Sequence, residues 1–411
     1  MSLLEELRKR KILNNITNEK KAKKFFEKKG SLYVGFDPSF HSLHVGNLIM
    51  IILLRRFNDA GFKTYAILGG ATGMVGDPSG KNSERNLLSE DILKKNVECV
   101  GKQLKKYTNS EVINNYDFYK NFNVLDFLRD VGKYININYM LEKDIIKNRL
   151  ETGISYTEFS YSILQAYDFY TLWKDKNINL QMGGSDQWSN ITSGIDLIKK
   201  FDTNNDAFGI TINLLTKKDG TKFGKSEKGA IYLDSEISSP YEMYQFFYNQ
   251  SDEDIEKIFN FFSFKKLEEI KKIIEQHKEN SKFRIAQKEI SYEIVSFIHG
   301  KEAAESVIEM NELIFNKQFN QLNKSQFSMI AISSITSEIK EKKIQLLEAI
   351  VLSNICESKS QARSLVLQKS IKVNGFDMND INFEILKEDS YHKHYTVIQK
   401  GKKDFKILKW I

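Results

Sequence analysis

Cysteine, proline and long apolar runs are all scarce in this chain. The two cysteines, Cys99 and Cys356, lie far apart with no CxxC and no neighbouring histidine cluster. That pattern excludes a disulfide framework and a cysteine-based zinc site. The longest uninterrupted apolar run covers residues 48–54, where a membrane span needs about 20 residues. The chain start has no apolar signal core, so a cytoplasmic location without a membrane is expected. Only three prolines occur, where average usage near 5% would supply about twenty. Neither GxGxxG nor a Walker P-loop is present, since Lys81 is followed by Asn82, and kinase or dehydrogenase readings lose ground.

What is present suits a soluble enzyme. A length of 411 residues, with 41% hydrophobic and 28% charged side chains, suggests two to four globular domains. Net charge is +7 but uneven: residues 1–30 hold ten Lys/Arg against four Glu, and residues 391–411 six Lys against one Asp. Basic ends suit a polyanion such as RNA, and equally a solvated lysine surface.

Residues 31–36 and 63–68 read as short buried strands flanking a helix over 44–60 that Gly61 closes. Strand, helix and strand in that space is the βαβ pattern of a parallel, doubly wound sheet, whose ligands bind at the carboxyl ends of the strands. Two further strands are expected over 178–182 and 210–215. Pro38 and Pro78 each follow an aspartate at such a strand end, which predicts rigid turns around Asp37 and Asp77. After Pro240 the composition turns helical to about residue 315; the polar stretch 316–343 reads as a linker, and 346–411 as a small α/β module.

Four constellations carry chemistry. His44, Val45, Gly46 and Asn47 stand at a helix start after a strand, where unsatisfied N–H groups and the positive dipole end favour an anion; an ordinary capped helix is the alternative. Residues 69–80 contain five glycines in twelve positions, a backbone open to a ligand or a structural turn. Lys222, Phe223, Gly224, Lys225 and Ser226 put two lysines around a glycine, as a polyphosphate site or a solvated basic loop would. Tyr161, Gln165 and Asp168 share one helix face among aromatic residues, as the wall of a pocket for a small aromatic polar ligand or as a buried hydrogen-bond network.

In order and spacing these segments resemble the class I aminoacyl-tRNA synthetases, and within them the bacterial-type tyrosyl-tRNA synthetases. His44 to Asn47 is similar to the HIGH signature and Lys222 to Ser226 to KMSKS. YVGFDPS at 33–39, GGATGMVGDPSGK at 69–81, TEFSYSILQAYDF at 157–169 and GGSDQWSNI at 183–191 resemble the tyrosine enzymes in particular. SKSQARSLVLQKSIKVNG at 358–375 is similar to an RNA-binding module shared with a ribosomal protein. The resemblance implies a Rossmann-like doubly wound catalytic domain with a dimer-forming insertion (1–220), the KFGKS loop and an α-helical anticodon-arm domain (221–320), a linker (321–343) and a small α/β RNA-binding module (344–411).

It also implies roles. Tyr33 and Asp168 would hold a phenolic hydroxyl; Asp77, Tyr161 and Gln165 an ammonium group, with Gln187 near the carboxylate. Gly35, Asp37, Ser39, Gly184 and Asp186 would bind the adenosine part of ATP, and His44, Gly46, Asn47 and Lys225 its phosphates. Lys222, Lys225, Ser226, Lys81 and Arg85 would gather around leaving pyrophosphate, and Lys359, Arg363, Lys369 and Lys372 would meet RNA. The implied substrates are tyrosine, ATP with Mg2+ and tRNA(Tyr), handled by a homodimer without zinc or a tightly bound organic cofactor. Three departures stand out: Asn47 for the last histidine of HIGH, Phe223 with Gly224 inside KMSKS, and Lys369 with Ser370 where a glycine-containing pair is usual. An amide N–H donates much as an imidazole N–H does, so activity is expected to survive Asn47. A tryptophan enzyme is the nearest rival, but an indole offers no hydroxyl to the Tyr33 and Asp168 pair.

Overall fold

The computed structural model describes residues 1–77, 88–143, 146–147, 153–216, 223–226, 229–332, 336–401 and 404–411, with Lys225 and Ser226 described in backbone only. Two compact units emerge: residues 1–225 with 252–275, and residues 226–251 with 276–411.

The first unit is built on a six-stranded sheet. Its strands are β1 (Leu13–Ile16), β2 (Ser31–Phe36), β3 (Lys63–Leu68), β4 (Glu111–Asn114), β5 (Ile178–Gly184) and β6 (Phe208–Ile212), in the order β1-β6-β5-β2-β3-β4. All pairs are parallel except β1 with β6. Beta2 and β3 occupy the expected residues, whereas β5 runs two residues longer and β6 lies two earlier at its start, ending at Ile212 where Asn213 turns to donate to the carbonyls of Lys11 and Leu13. The apolar run at 48–54 is the middle of the helix Val45–Asp59, in which Leu48, Ile51, Ile52, Leu53 and Leu54 are all fully buried. A helix apolar around most of its circumference must be covered on several sides. From β2 the chain passes to β3 on one side, while β5 flanks it on the other, so the carboxyl end of β2 is the switch point where such sheets open a ligand crevice.

Residues 252–275 belong with this unit, although the sequence placed them in a separate helical domain. The cause is a buried arginine clamp. Arg10, 1% exposed, donates from Nε to Glu6 Oε1 at 2.7 Å and from its Nη atoms to the carbonyls of Asn260, Ser263 and Lys265. Arg56 shares Glu6 Oε1 at 3.0 Å and also donates to the Ser263 carbonyl. These guanidinium groups satisfy the carbonyl end of the helix Ile255–Phe262. Removing one member of a buried ionic cluster typically costs about 3–5 kcal/mol. Arg10→Ala is therefore expected to lower the urea midpoint of the whole protein markedly; an unchanged midpoint would show that the clamp adds no stability.

The second unit combines the helices Pro240–Tyr248, Ile285–His299, Lys301–Phe315 and Lys324–Ala331 with a five-stranded sheet. That sheet is ordered Phe376–Asp377, Ile371–Val373, Tyr395–Lys400, Asp404–Trp410, Thr336–Ile339. The stretch expected as a linker is structured. The helix Lys324–Ala331 starts on a capping box of Asn323 and Gln326, and its buried Phe327 packs between Tyr391 and Tyr395 at ring distances of 5.3 and 5.1 Å. Thr336–Ile339 pairs in parallel with Asp404–Trp410. The Asn, Ser and Gln content misled the reading because those residues act as caps, while Phe319, Leu322, Phe327 and Ile330 supply the buried contacts. Among the described residues no helix is long and apolar enough to cross a membrane.

Candidate active site

The carboxyl ends of β2, β3, β4 and β5 meet around a polar cluster buried under the helix Tyr156–Lys176. Its centre is Asp168, 4% exposed. Asn115, just past β4, donates to Asp168 Oδ2 at 2.9 Å, and Tyr119 donates to Oδ1 at 2.7 Å. Burial raises the Asp168 carboxyl to about 7; the bonds from Tyr119 and Asn115 oppose that rise, and Asp37 adds to it. Tyr33, on β2, is 2% exposed, and its hydroxyl has no partner among the described residues. Burial, then the charge of Asp168, pushes the Tyr33 phenol well above its ordinary value. An unpaired buried hydroxyl beside a buried carboxylate is costly in an unliganded protein and marks a place where a polar ligand completes the set.

Asn115 also donates to Thr72 Oγ1 at 3.1 Å and accepts from the Ala71 N–H at 2.8 Å, tying the glycine-rich loop to the same carboxylate. A side chain on Gly69 would stand 2.6 Å from both Asp37 Oδ1 and Thr72 Oγ1, so only glycine lets β3 end against those groups. Neither Asn115 nor Tyr119 was singled out in the sequence. Each sits about fifty positions from Asp168, and only the β3 to β4 pairing brings them near it.

A second polar cluster lies up to seven residues earlier on the same helix, about 10 Å along its axis. Gln187 Nε2 donates to Asp77 Oδ2 at 2.9 Å, and Gln187 Oε1 accepts from Asn190 at 3.2 Å and from Gln165 at 3.4 Å. Gln165 Oε1 is buried without a partner among the described residues. Tyr161 donates to Asp37 Oδ2 at 3.4 Å, linking this end to β2. A carboxylate, a hydroxyl and an unsatisfied amide oxygen form an acceptor-rich end suited to an ammonium group.

His44 and Asn47 form the cap of the helix Val45–Asp59. His44 Nδ1 accepts from the Gly46 N–H at 2.9 Å, and Asn47 Oδ1 accepts from the His44 N–H at 3.1 Å. With Nδ1 occupied as acceptor, the neutral imidazole carries its proton on Nε2 and remains a donor. The cap itself uses Nδ1 of His44 and Oδ1 of Asn47. Gly35 is exposed, with open space where a Cβ would stand. Ser39 lies in the turn at Pro38, whose carbonyl accepts from Asn96 at 3.0 Å, and Gly184 ends β5 beside Asp186.

The two signature segments touch. Gly224 has φ 103°, and a Cβ there would stand 2.8 Å from the Gly46 nitrogen and 3.1 Å from its Cα. Phe223 anchors the loop: it is 8% exposed, its ring lies 5.4 Å from that of Phe262, and its N–H donates to Leu215. Lys225 and Ser226 follow in a short strand, whereas Lys222, Lys81 and Arg85 lie outside the described residues.

In the second unit Lys359 and Arg363 lie on the helix Lys359–Leu367, and Lys372 pairs with Asp377 at 3.2 Å. Lys369 takes the left-handed conformation, φ 55°, that a glycine would favour, so the turn survives that departure.

Comparison with known proteins agrees in both units. Residues 25–316 match the family described as tRNA synthetases class I (W and Y), and residues 327–408 match the tyrosine–tRNA ligase SYY-like C-terminal domain. The chain is 51% identical to a tyrosine–tRNA ligase of Ureaplasma urealyticum, covering 100% of this chain and 99% of the relative. It is 43% identical to tyrosine–tRNA ligase 1 of Bacillus subtilis, covering 99% of both. A C-terminally truncated Aspergillus nidulans mitochondrial tyrosyl-tRNA synthetase superposes with a TM-score of 0.69 at 32% identity, over 76% of this chain and 94% of that one.

Proposed function

Because the chain belongs to the class I tRNA synthetases of the tryptophan and tyrosine type, we propose that its buried cleft selects tyrosine through Asp168 and Tyr33 and presents the carboxylate to ATP. The enzyme is a tyrosine–tRNA ligase: it joins tyrosine to the α-phosphate of ATP, releasing pyrophosphate, and passes the tyrosyl group to the terminal adenosine of tRNA(Tyr), releasing AMP. The observation that carries the assignment of side chains is the unpartnered Tyr33 hydroxyl beside Asp168, at the far end of a pocket whose near end is rich in acceptors.

No side-chain nucleophile is required, because the substrate carboxylate attacks. The protein positions the reactants and stabilises charge. In this reading Asp77, Tyr161 and Gln165 take the ammonium group, and Gln187 lies by the carboxylate. Gly35, Asp37, Ser39, Gly184 and Asp186 receive the adenosine, with His44, Gly46 and Asn47 at the phosphates. Lys222, Lys225, Ser226, Lys81 and Arg85 act on pyrophosphate as it leaves. Mg2+ would arrive with ATP, held largely by its phosphate oxygens and by water. Lys359, Arg363, Lys369 and Lys372 contact tRNA phosphates.

A homodimer in the cytoplasm completes the proposal. Its support is an apolar surface at Val124, Leu125 and Ile137, which are 72%, 73% and 62% exposed, next to a cavity of about 620 Å³ lined in part by Tyr134, Tyr139 and Met140. Large exposed apolar side chains gathered in one patch mark association surfaces. The direct test is ATP–pyrophosphate exchange run with each of the twenty amino acids and no tRNA. Exchange with tyrosine alone is expected; exchange with none would leave an RNA-binding chain without catalysis.

A further inference from the structure

We propose that Tyr119 is a positioning residue for amino-acid selection, a second resident phenol that holds the Asp168 carboxylate ready to accept a hydroxyl from the ligand. The proposal rests on the reading of Asp168 as the group that receives the tyrosine phenol.

Asp168 enters the cleft from the helix Tyr156–Lys176 into surroundings that disfavour charge. The polar groups facing it are Tyr33 from β2, Asp37 just beyond β2, Asn115 after β4, and Tyr119 from the helix Tyr116–Tyr119. Of these, Asp37 opposes ionisation and the Tyr33 hydroxyl has no hydrogen-bond partner among the described residues. Among the described residues Asn115 and Tyr119 supply the donors, one to each carboxylate oxygen. They are not equivalent. Asn115 is committed to the glycine-rich loop through Thr72 and Ala71. Tyr119 has a single proton and two acceptors, Asp168 Oδ1 at 2.7 Å and the Leu164 carbonyl at 2.8 Å. The ionised carboxylate is the stronger acceptor and takes that proton. When Asp168 is protonated, the Tyr119 hydroxyl turns to Leu164 and its oxygen can accept from the acid. The phenol therefore keeps the carboxyl satisfied in either state and weights it toward the ionised one, which receives a hydroxyl best. Its ring is fixed independently, packed against Tyr167 at 5.7 Å and Phe127 at 6.4 Å.

Removal of the hydroxyl alone separates these roles. Tyr119→Phe keeps the ring contacts and takes one charge-assisted bond from Asp168. Since that bond lowers the Asp168 pKa, its loss moves ionisation to higher pH, and tyrosine affinity, which rises as the carboxylate forms, follows. The experiment measures KM and kcat for tyrosine in ATP–pyrophosphate exchange from pH 6 to 9, on the full-length enzyme, its Tyr119→Phe variant and Asp168→Asn. At pH 7 the Tyr119→Phe KM is expected to rise about tenfold, as befits one hydrogen bond to a charged group, with kcat little changed. Raising the pH should recover much of the loss. A Tyr119→Phe enzyme of normal melting temperature with the native pH profile would overturn the proposal, and so would a raised KM with no shift in pH. If Asp168→Asn also bound tyrosine normally, the reading of Asp168 itself would fall, an outcome distinct from failure at Tyr119 alone.

Discussion

Gly224→Ala is expected to slow tyrosyl-adenylate formation by about 10²-fold while leaving tyrosine affinity nearly unchanged. The methyl group meets backbone rather than a side chain that could rotate away: its carbon would stand 2.8 Å from the Gly46 nitrogen. That nitrogen cannot retreat freely, because its N–H is bound to His44 Nδ1 within the helix cap. The residue also has φ 103°, a conformation that costs an L-residue about 1–3 kcal/mol. Phe223 remains pinned against Phe262, so the strain is relieved by lifting the segment that carries Lys225. A displacement near 1 Å at a positioning element can cost about 10² in rate. Rapid-mixing measurement of adenylate formation at saturating substrates checks this. A native rate in the variant would mean that close packing of the two signatures is not needed for chemistry.

Asp168→Asn should raise the KM for tyrosine by about 10²-fold at pH 8 and change phenylalanine activation little, so that selectivity collapses from the tyrosine side. At that pH the native carboxyl, with its pKa near 7, is mostly ionised and accepts strongly. An amide in its place presents one weaker acceptor and an NH2 facing donors from Asn115 or Tyr119. Losing a charge-assisted bond and leaving buried donors unmatched each cost on the order of 1–3 kcal/mol. The fold itself should tolerate the change. The folded-state pKa of Asp168 lies above the ordinary carboxyl value, so ionising it opposes folding: there is no penalty below about pH 4 and the full penalty above about pH 7. The variant should therefore hold its melting temperature best relative to the native enzyme at alkaline pH. Equal tyrosine KM values for the two proteins would remove Asp168 from recognition.

Much of the first unit could be read without coordinates. Beta2 and β3 are largely buried, so they appear as apolar runs, with Asp37 and Pro38 just after β2 and Gly61 just before β3, whereas the turn expected at Pro78 lies outside the described residues. Tyr161, Gln165 and Asp168 could be placed on one wall because helical spacing is a local rule. The polar stretch near 321–343 could not, since a capping Asn and a linker Asn look alike until Phe327 is seen against Tyr391 and Tyr395. Arg10 gave no signal either. In a basic chain start it resembles its solvated neighbours, and its partners lie some 250 positions away.

The sequence by itself determined the family and the reaction class, because those rest on short motifs that are local in the chain. Tertiary structure alone decided which groups meet. Strand order put Asn115 and Tyr119 on Asp168 and left the Tyr33 hydroxyl without a partner among the described residues. Loop packing set Gly224 on Gly46. Contacts of this kind join positions separated by tens to hundreds of residues, and no local period encodes them. They follow from which strand lies beside which once the apolar faces are buried.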